Sequence, residues 1–189
     1  MEPIEVVLTE TGELAALGSE LASLCERAVH ETLILEGRRL DEAAGRPSGG
    51  GRLSTPGRPV EVSLTLAGDA HIHGLNRRYL DRDEPTDVLS FPMGDDDALG
   101  KEAAGGDPGG GTEPREPFLL GDVVVSVDRA RDQASEHGRP FPEELARLVS
   151  HGVLHLLGYT DESEEASAAM HAKENAVLTR LGFSPDWSG

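Results

Sequence analysis

The sequence has little cysteine, little positive charge and no long apolar run, and each shortage excludes a class of protein. Cys25 is the single cysteine among 189 residues, which excludes an internal disulfide and a cysteine-ligated metal site and favours a reducing compartment. No apolar stretch approaches the roughly 18 residues of a membrane span. The N-terminus MEPIEVVL lacks the basic segment that opens a secretion signal. We therefore expect a cytoplasmic protein without membrane contact.

Positive charge is scarce relative to negative charge: 17 Lys and Arg stand against 35 Asp and Glu, a formal net charge of −18. This balance argues against binding nucleic acid by phosphate neutralisation alone. Glycine, by contrast, is concentrated in two segments, at about 36–58 and 94–117, which mix Gly, Pro and charge without an apolar period. We interpret both as loop insertions in a single domain spanning 1–189.

The remaining sequence alternates between the two periodicities of regular structure. Alternating or continuous apolar residues predict strands at 4–8, 60–66, 86–91 and 121–127. Helical spacing predicts helices at 13–35, 71–80, 128–137, 142–158 and from about 160 to 182. Because strands and helices are mixed without strict alternation, the expected class is α+β.

The segment HGVLHLLGYTD at 151–161 carries the clearest chemical signal. A spacing of four places His151 and His155 on one helical face, and Gly158 lets the chain turn so that Asp161 supplies a third ligand. Three protein ligands leave one position open for water, as in catalytic zinc sites. Two alternatives stay open: a chance His pair, and Asp161 as the N-cap of the last helix in D-x-x-E.

A helix with two histidines also occurs in metallopeptidases, which need H-E-x-x-H with Glu as general base. Here Gly152 occupies that position, so a peptidase is disfavoured, and close packing against a neighbouring element is the alternative explanation for this glycine. The other histidines have no paired spacing with this segment and are not expected to be ligands: His30, His71, His73, His137 and His171.

Three ordered blocks resemble the YbeY family of metal-dependent endoribonucleases: LNRRYLDRDEPTDVLSFP at 75–92, LGDVVVSVDRARDQASEHG at 120–138, and HGVLHLLGY followed by a helix with Met170 and Glu174. The resemblance implies a small mixed β-sheet flanked by helices and a zincin-like metal-binding helix. It implies one zinc ion per chain and hydrolysis of a phosphodiester in single-stranded ribosomal RNA.

The chain departs from the family pattern at two positions. Asp161 stands where the family has its third histidine ligand, and Leu80 stands where the family has an arginine thought to engage the RNA phosphate. Arg77, Arg78 and Arg82 are the candidate catalytic replacements, unless they are simply solvent-facing charges. Asp87 and Ser90 are either supporting groups of the site or, for Asp87, a turn residue.

These departures leave two main functions. The first is a zinc-dependent endoribonuclease in ribosomal RNA maturation. The second is a weakened or inactive ribosome-assembly factor that retains the fold. For both, the net charge of −18 suggests that a protein partner on the small ribosomal subunit brings the chain to its RNA, and no DNA partner is expected.

Overall fold

The computed structural model describes residues 4–11, 17–43, 59–93 and 117–184, with residues 37–43 described as backbone only. In chain order, this part contains the following elements: β1 Ile4–Glu10, α1 Ser19–Ala43, β2 Val60–Ala67, α2 Asp69–Leu80, β3 Val88–Pro92, β4 Phe118–Ser126, α3 Val127–Glu136, α4 Phe141–Leu156 and α5 Glu164–Arg180. No helix of the described ranges is long and apolar enough to cross a bilayer.

The four strands form one mixed sheet with the order β1-β2-β4-β3. β1 and β2 are parallel, β2 and β4 are parallel, and β3 runs antiparallel to β4 at the edge. The predicted α+β class with a small mixed sheet is therefore confirmed. The apolar run of β4 is explained by its central place, where both of its faces are covered.

Helices cover the two faces of the sheet unequally. The main core joins the inward side chains of β2 to α1 and α4, with Leu64, Val123 and Val149 fully buried. A smaller cluster around Ile72, Leu89 and Val124 lies on the other face, beneath α2. Since neighbouring strand residues point to opposite faces, α2 and α4 lie on opposite sides of the sheet.

Several predicted boundaries move in the structure. α1 continues to Ala43, so ending the helix at 35 and starting a loop at 36 was wrong for residues 36–43. The rest of that predicted insertion and nearly all of the second, at 94–116, lie outside the described residues. The last helix begins at Glu164, later than predicted, because its N-cap is a different residue from the one considered.

α4 is the element that positions the site. Pro142 stands in its first turn together with Glu143 and Glu144, where a missing N–H costs nothing and negative charge meets the positive end of the helix dipole. Almost every residue of α4 is buried. The helix ends before Gly158, whose φ of 87° is a left-handed conformation that glycine adopts without strain.

Candidate metal centre

The two histidines of α4 meet as their spacing predicts. The Nε2 atoms of His151 and His155 are 3.0 Å apart, and both side chains are half-buried. After the turn at Gly158, Asp161 comes back to the helix, and its Oδ2 atom lies 3.9 Å from Nε2 of His151. One potential ligand atom from each residue lies within 4.8 Å of the others. The structure thus brings together all three predicted ligands.

The hydrogen-bond partners of the two Nδ1 atoms orient the histidine rings. Nδ1 of His155 is 2.9 Å from the carbonyl oxygen of Tyr159, and Nδ1 of His151 is 2.7 Å from Oε1 of Glu174. Both partners only accept, which favours a proton on each Nδ1 and leaves each Nε2 as the atom that can offer a lone pair. Two such nitrogen atoms beside a carboxylate form a group that could hold a metal ion. The donor set of two imidazoles and one carboxylate suits zinc.

Asp161 does not cap the last helix. The N-cap of α5 is Ser163, whose side-chain oxygen accepts a hydrogen bond from the backbone N–H of Ala166 at 3.1 Å. The capping alternative for Asp161 was therefore wrong, and its carboxylate, with the side chain 50% exposed, faces His151 instead.

Gly152 is explained by close packing, the alternative considered from sequence. A Cβ atom built on it would lie 2.4 Å from Cγ1 of Val123, 3.0 Å from Cγ1 of Val88 and 3.3 Å from Oγ of Ser90. Ser90 also donates a hydrogen bond of 3.0 Å to the carbonyl oxygen of Gly152. The sheet surface therefore occupies the space that the catalytic Glu of a peptidase would need.

Glu174 supports His151 from α5, and sequence reasoning gave it no role. Its carboxylate is 1% exposed and lies between Nδ1 of His151 and the guanidinium of Arg147. Burial by itself raises the pKa of Glu174, but the hydrogen bond from His151 and the charge of Arg147 outweigh it and hold that pKa below its usual value. An ionised carboxylate behind a ligand histidine fixes the ring and increases its basicity.

A second cluster missed from sequence anchors the turn that leads to Asp161. The hydroxyl of Tyr159 donates to Oε2 of Glu36 on α1, and Lys173 Nζ on α5 donates to both oxygens of Glu36 at 2.9 Å. Burial raises the pKa of Tyr159, and the hydrogen bond to Glu36 raises it further. The signal available in the sequence was one acidic residue, Glu36, at the end of an apolar helix face.

The three candidate arginines lie on or just after α2. Nη1 of Arg77 is 3.9 Å from Oδ1 of Asp83, and the guanidinium of Arg78 lies 5.3 Å from the ring centroid of Tyr79. Arg82 is exposed on the loop between α2 and β3, and Leu80 is 50% exposed. Since α2 packs on the sheet face opposite to α4, the structure does not gather Arg77 and Arg78 around the histidines.

Fold and site together define an α+β protein with a two-histidine helix and an acidic side chain beside it, an arrangement typical of metal-dependent hydrolases. Residues 52–182 match the family described as Endoribonuclease YbeY. The chain therefore belongs to the YbeY family.

Two individual relatives agree with this assignment. Endoribonuclease YbeY of Pelotomaculum thermopropionicum is 41% identical over 169 residues, which cover 89% of this chain and 91% of the relative. Endoribonuclease YbeY of Roseiflexus castenholzii is 42% identical over 164 residues, with 86% and 85% covered. A solution structure of TM1509 from Thermotoga maritima shares 22% identity over 97% of both chains, with a TM-score of 0.48.

Proposed function

We propose that this chain is a zinc-dependent endoribonuclease that hydrolyses a phosphodiester of single-stranded ribosomal RNA, with His151, His155 and Asp161 as the zinc ligands. The observation that carries the proposal is the pair of Nε2 atoms 3.0 Å apart, each on a ring whose Nδ1 is held by an acceptor. This arrangement orients two lone pairs toward one point beside a carboxylate.

Zinc bound by three protein ligands supplies Lewis-acid activation of water and of a phosphoryl oxygen. The protein's part is to orient the ligand side chains and to hold their helix in place. Glu174 and the carbonyl of Tyr159 hold the two rings, and the packing at Gly152 keeps α4 against the sheet. Asp161 adds a negative charge that a third histidine would not, so we expect water at this site to be less acidic than at a three-histidine site.

Among the three candidate arginines, we assign the phosphate-binding role first to Arg82. Arg82 is exposed on the loop between α2 and β3, five residues before Asp87. Asp87 accepts a hydrogen bond from Gln133, and Gln133 accepts one from Arg147 beside Glu174, which connects the end of this loop to the side chains around His151. Arg77 and Arg78 remain second candidates, since each already contacts a neighbour.

The acidity of the chain bears on how it meets its substrate. A net charge of −18 gives weak attraction to free RNA, since phosphate contacts dominate affinity. We therefore propose that the chain works in the cytoplasm and is brought to its RNA by a protein partner on the small ribosomal subunit.

The test combines metal content with cleavage. We expect near-stoichiometric zinc in the natural chain, loss of zinc in Asp161→Ala and retention in Asp161→His, measured by elemental analysis after gentle purification. Cleavage of single-stranded ribosomal RNA fragments should be stopped by a chelator and restored by zinc. Absence of zinc from the natural chain, together with ribosome association without cleavage, would contradict the proposal and favour an assembly factor.

The arginine assignment has its own test. Arg82→Ala should lower RNA cleavage with zinc content unchanged, whereas Arg77→Ala should have the smaller effect. Equal activity of Arg82→Ala and the natural chain would assign the phosphate-binding role to Arg77 or Arg78 on α2.

A further inference from the structure

A chain of polar side chains leads from the metal centre into the protein and ends at the start of β3. Beyond His151, the carboxylate of Glu174 faces Nη1 of Arg147 at 3.5 Å. Nη2 of Arg147 donates to Oε1 of Gln133 at 3.3 Å, and Nε2 of Gln133 donates to Oδ2 of Asp87 at 3.1 Å. The path thus joins α5, α4, α3 and the residue that precedes β3.

The direction of these hydrogen bonds explains why a glutamine stands in the middle. A guanidinium only donates and a carboxylate only accepts, so a group between Arg147 and Asp87 must accept on one side and donate on the other. An amide does both. Gln133 is the only glutamine of the whole sequence. A glutamate at this position would oppose the carboxylate of Asp87, and an apolar residue would end the path.

Arg147 is held rigidly enough to fix the position of the side chains that it contacts. Its Nε and Nη2 donate to Oε1 of Glu144 at 3.0 and 2.6 Å, and Glu144 is 0% exposed while Arg147 is 9% exposed. With one edge fixed on Glu144, the guanidinium has little freedom to rotate, and its remaining N–H groups face Glu174 and Gln133.

The far end of the path is also fixed. Oδ1 of Asp87 accepts the backbone N–H of Val88 at 2.9 Å, and the backbone carbonyl of Asp87 accepts from Ser126 N at 2.7 Å. Asp87 ends the loop that carries Arg82, so the same carboxylate that closes this loop is linked through three side chains to a metal-ligand histidine.

We propose that Gln133 and Arg147 are positioning residues that hold Glu174 against His151 and thereby tie the metal centre to the loop before β3. This inference rests on the proposed function for the metal itself. The hydrogen-bonded path exists independently of it, so the two can fail separately.

The first measurement is the Co²⁺ affinity of the full chain, with the visible absorption of the bound ion as the signal for binding. Gln133→Met keeps the length of the side chain and changes no charge, and we expect it to weaken Co²⁺ binding about tenfold, as loss of a ligand's supporting group does. Arg147→Lys keeps the positive charge but loses the planar guanidinium and its several N–H donors. It should weaken Co²⁺ binding at least as much as Gln133→Met. Glu136→Gln, an exposed change on the same helix α3, is the matched control and should leave the affinity unaltered.

The second measurement needs no metal: ¹⁵N NMR of the His151 side chain in the metal-free chain. The natural chain should show the Nδ1–H tautomer, and Gln133→Met should show a mixture of tautomers. If Arg147→Lys does not fold, the result for Gln133→Met still tests the positioning role.

The outcomes separate the two proposals. Co²⁺ affinities of both variants within about twofold of the natural chain, or an unchanged His151 tautomer in Gln133→Met, would overturn the positioning role. If the natural chain binds no Co²⁺, the zinc proposal fails and the tautomer alone decides for or against the path.

Discussion

Two of the proposed metal ligands, His151 and Asp161, differ in how the fold holds them. His151 lies on a buried helix, and its Nδ1 contacts Glu174, which is itself 1% exposed and bound to Arg147. Asp161 lies on a turn after that helix, is 50% exposed, and approaches His151 at 3.9 Å. The core therefore fixes the position of His151, whereas a short surface segment fixes the position of Asp161.

This difference bears on one of the two departures from the family pattern, the one at Asp161. A change at His151 would leave Glu174 and Arg147 buried with an incomplete set of partners, which is costly. A change at the position of Asp161 alters only an exposed side chain. A carboxylate can therefore stand there without disturbing the core, and its effect is confined to the metal and to the water near it.

The largest effect is expected from Glu174→Ala. The substitution removes one carboxylate beside the buried Arg147, which keeps its hydrogen bonds to Glu144, and removes the acceptor of His151. Removing one partner of a buried ion pair costs about 3–5 kcal/mol when the charge left behind is unpaired. Because Glu144 still holds Arg147, we expect a loss at the lower end of this range, about 3 kcal/mol, in the free energy of unfolding of the metal-free chain, measured by urea denaturation.

Glu162→Ala, an exposed change near the same site, is its control and should leave the free energy of unfolding within about 0.5 kcal/mol of the natural chain. A similar small change in Glu174→Ala would show that the core does not hold His151 through this carboxylate.

Gly152→Ala tests the packing of α4 on the sheet. The new Cβ would meet Val123 and Val88 at 2.4 and 3.0 Å, and overpacking of this kind costs about 1–3 kcal/mol. Gly74→Ala is the matched control, since Gly74 lies in α2 with nothing within 4 Å of the added atom and alanine favours a helix. Thermal unfolding should show opposite shifts for the two variants. Equal shifts would contradict close packing at Gly152.

Tyr159→Phe tests the anchor of the turn that leads to Asp161. The variant loses the hydrogen bond from the hydroxyl to Glu36, while Lys173 still holds that carboxylate. We expect a loss of about 1 kcal/mol in the free energy of unfolding and weaker zinc binding, because the turn before Asp161 loses an anchor. Tyr79→Phe, on a side chain 57% exposed, should change neither quantity. Identical behaviour of the two variants would show that the anchor is unimportant.

The sequence predicted the parts of this site that depend on local spacing. The i, i+4 pair of His151 and His155 and the glycine turn at Gly158 follow from helix geometry, and most of the strands follow from their apolar pattern. What the sequence did not reveal depends on packing between distant elements. Glu36 and Glu174 meet their partners only after α1, α4 and α5 pack together.

The cap of α5 was missed for a different reason. Both Asp161 and Ser163 are good N-cap residues, and the choice of Ser163 follows from where the chain must turn to reach the helix. Arg147 did leave a trace in the sequence, as a charge within the apolar run of α4, which indicates a buried partner.

Acid should weaken the region around Asp87. Burial by itself raises the pKa of this carboxyl, but hydrogen bonds from Gln133 and from backbone N–H groups outweigh it and lower the pKa below its ordinary value. The ionised form therefore contributes stability that is full above the unfolded pKa, about 3.9, and is lost as pH falls through the lower folded pKa. The stability advantage over Asp87→Asn, measured by denaturation across this range, should close toward acid. A gap independent of pH would contradict this.

Asp161→Ala should have the smallest effect on stability and a large one on metal. Because the side chain is half-exposed and does not cap α5, the metal-free variant should unfold within about 0.5 kcal/mol of the natural chain. Zinc binding should nevertheless fall, since one of three ligands is gone. Zinc should stabilise the natural chain against heat, as any ligand of the folded state does, and stabilise the variant less. Equal stabilisation of both would place the third ligand elsewhere and remove the contrast between a ligand set by the core and one set by the surface.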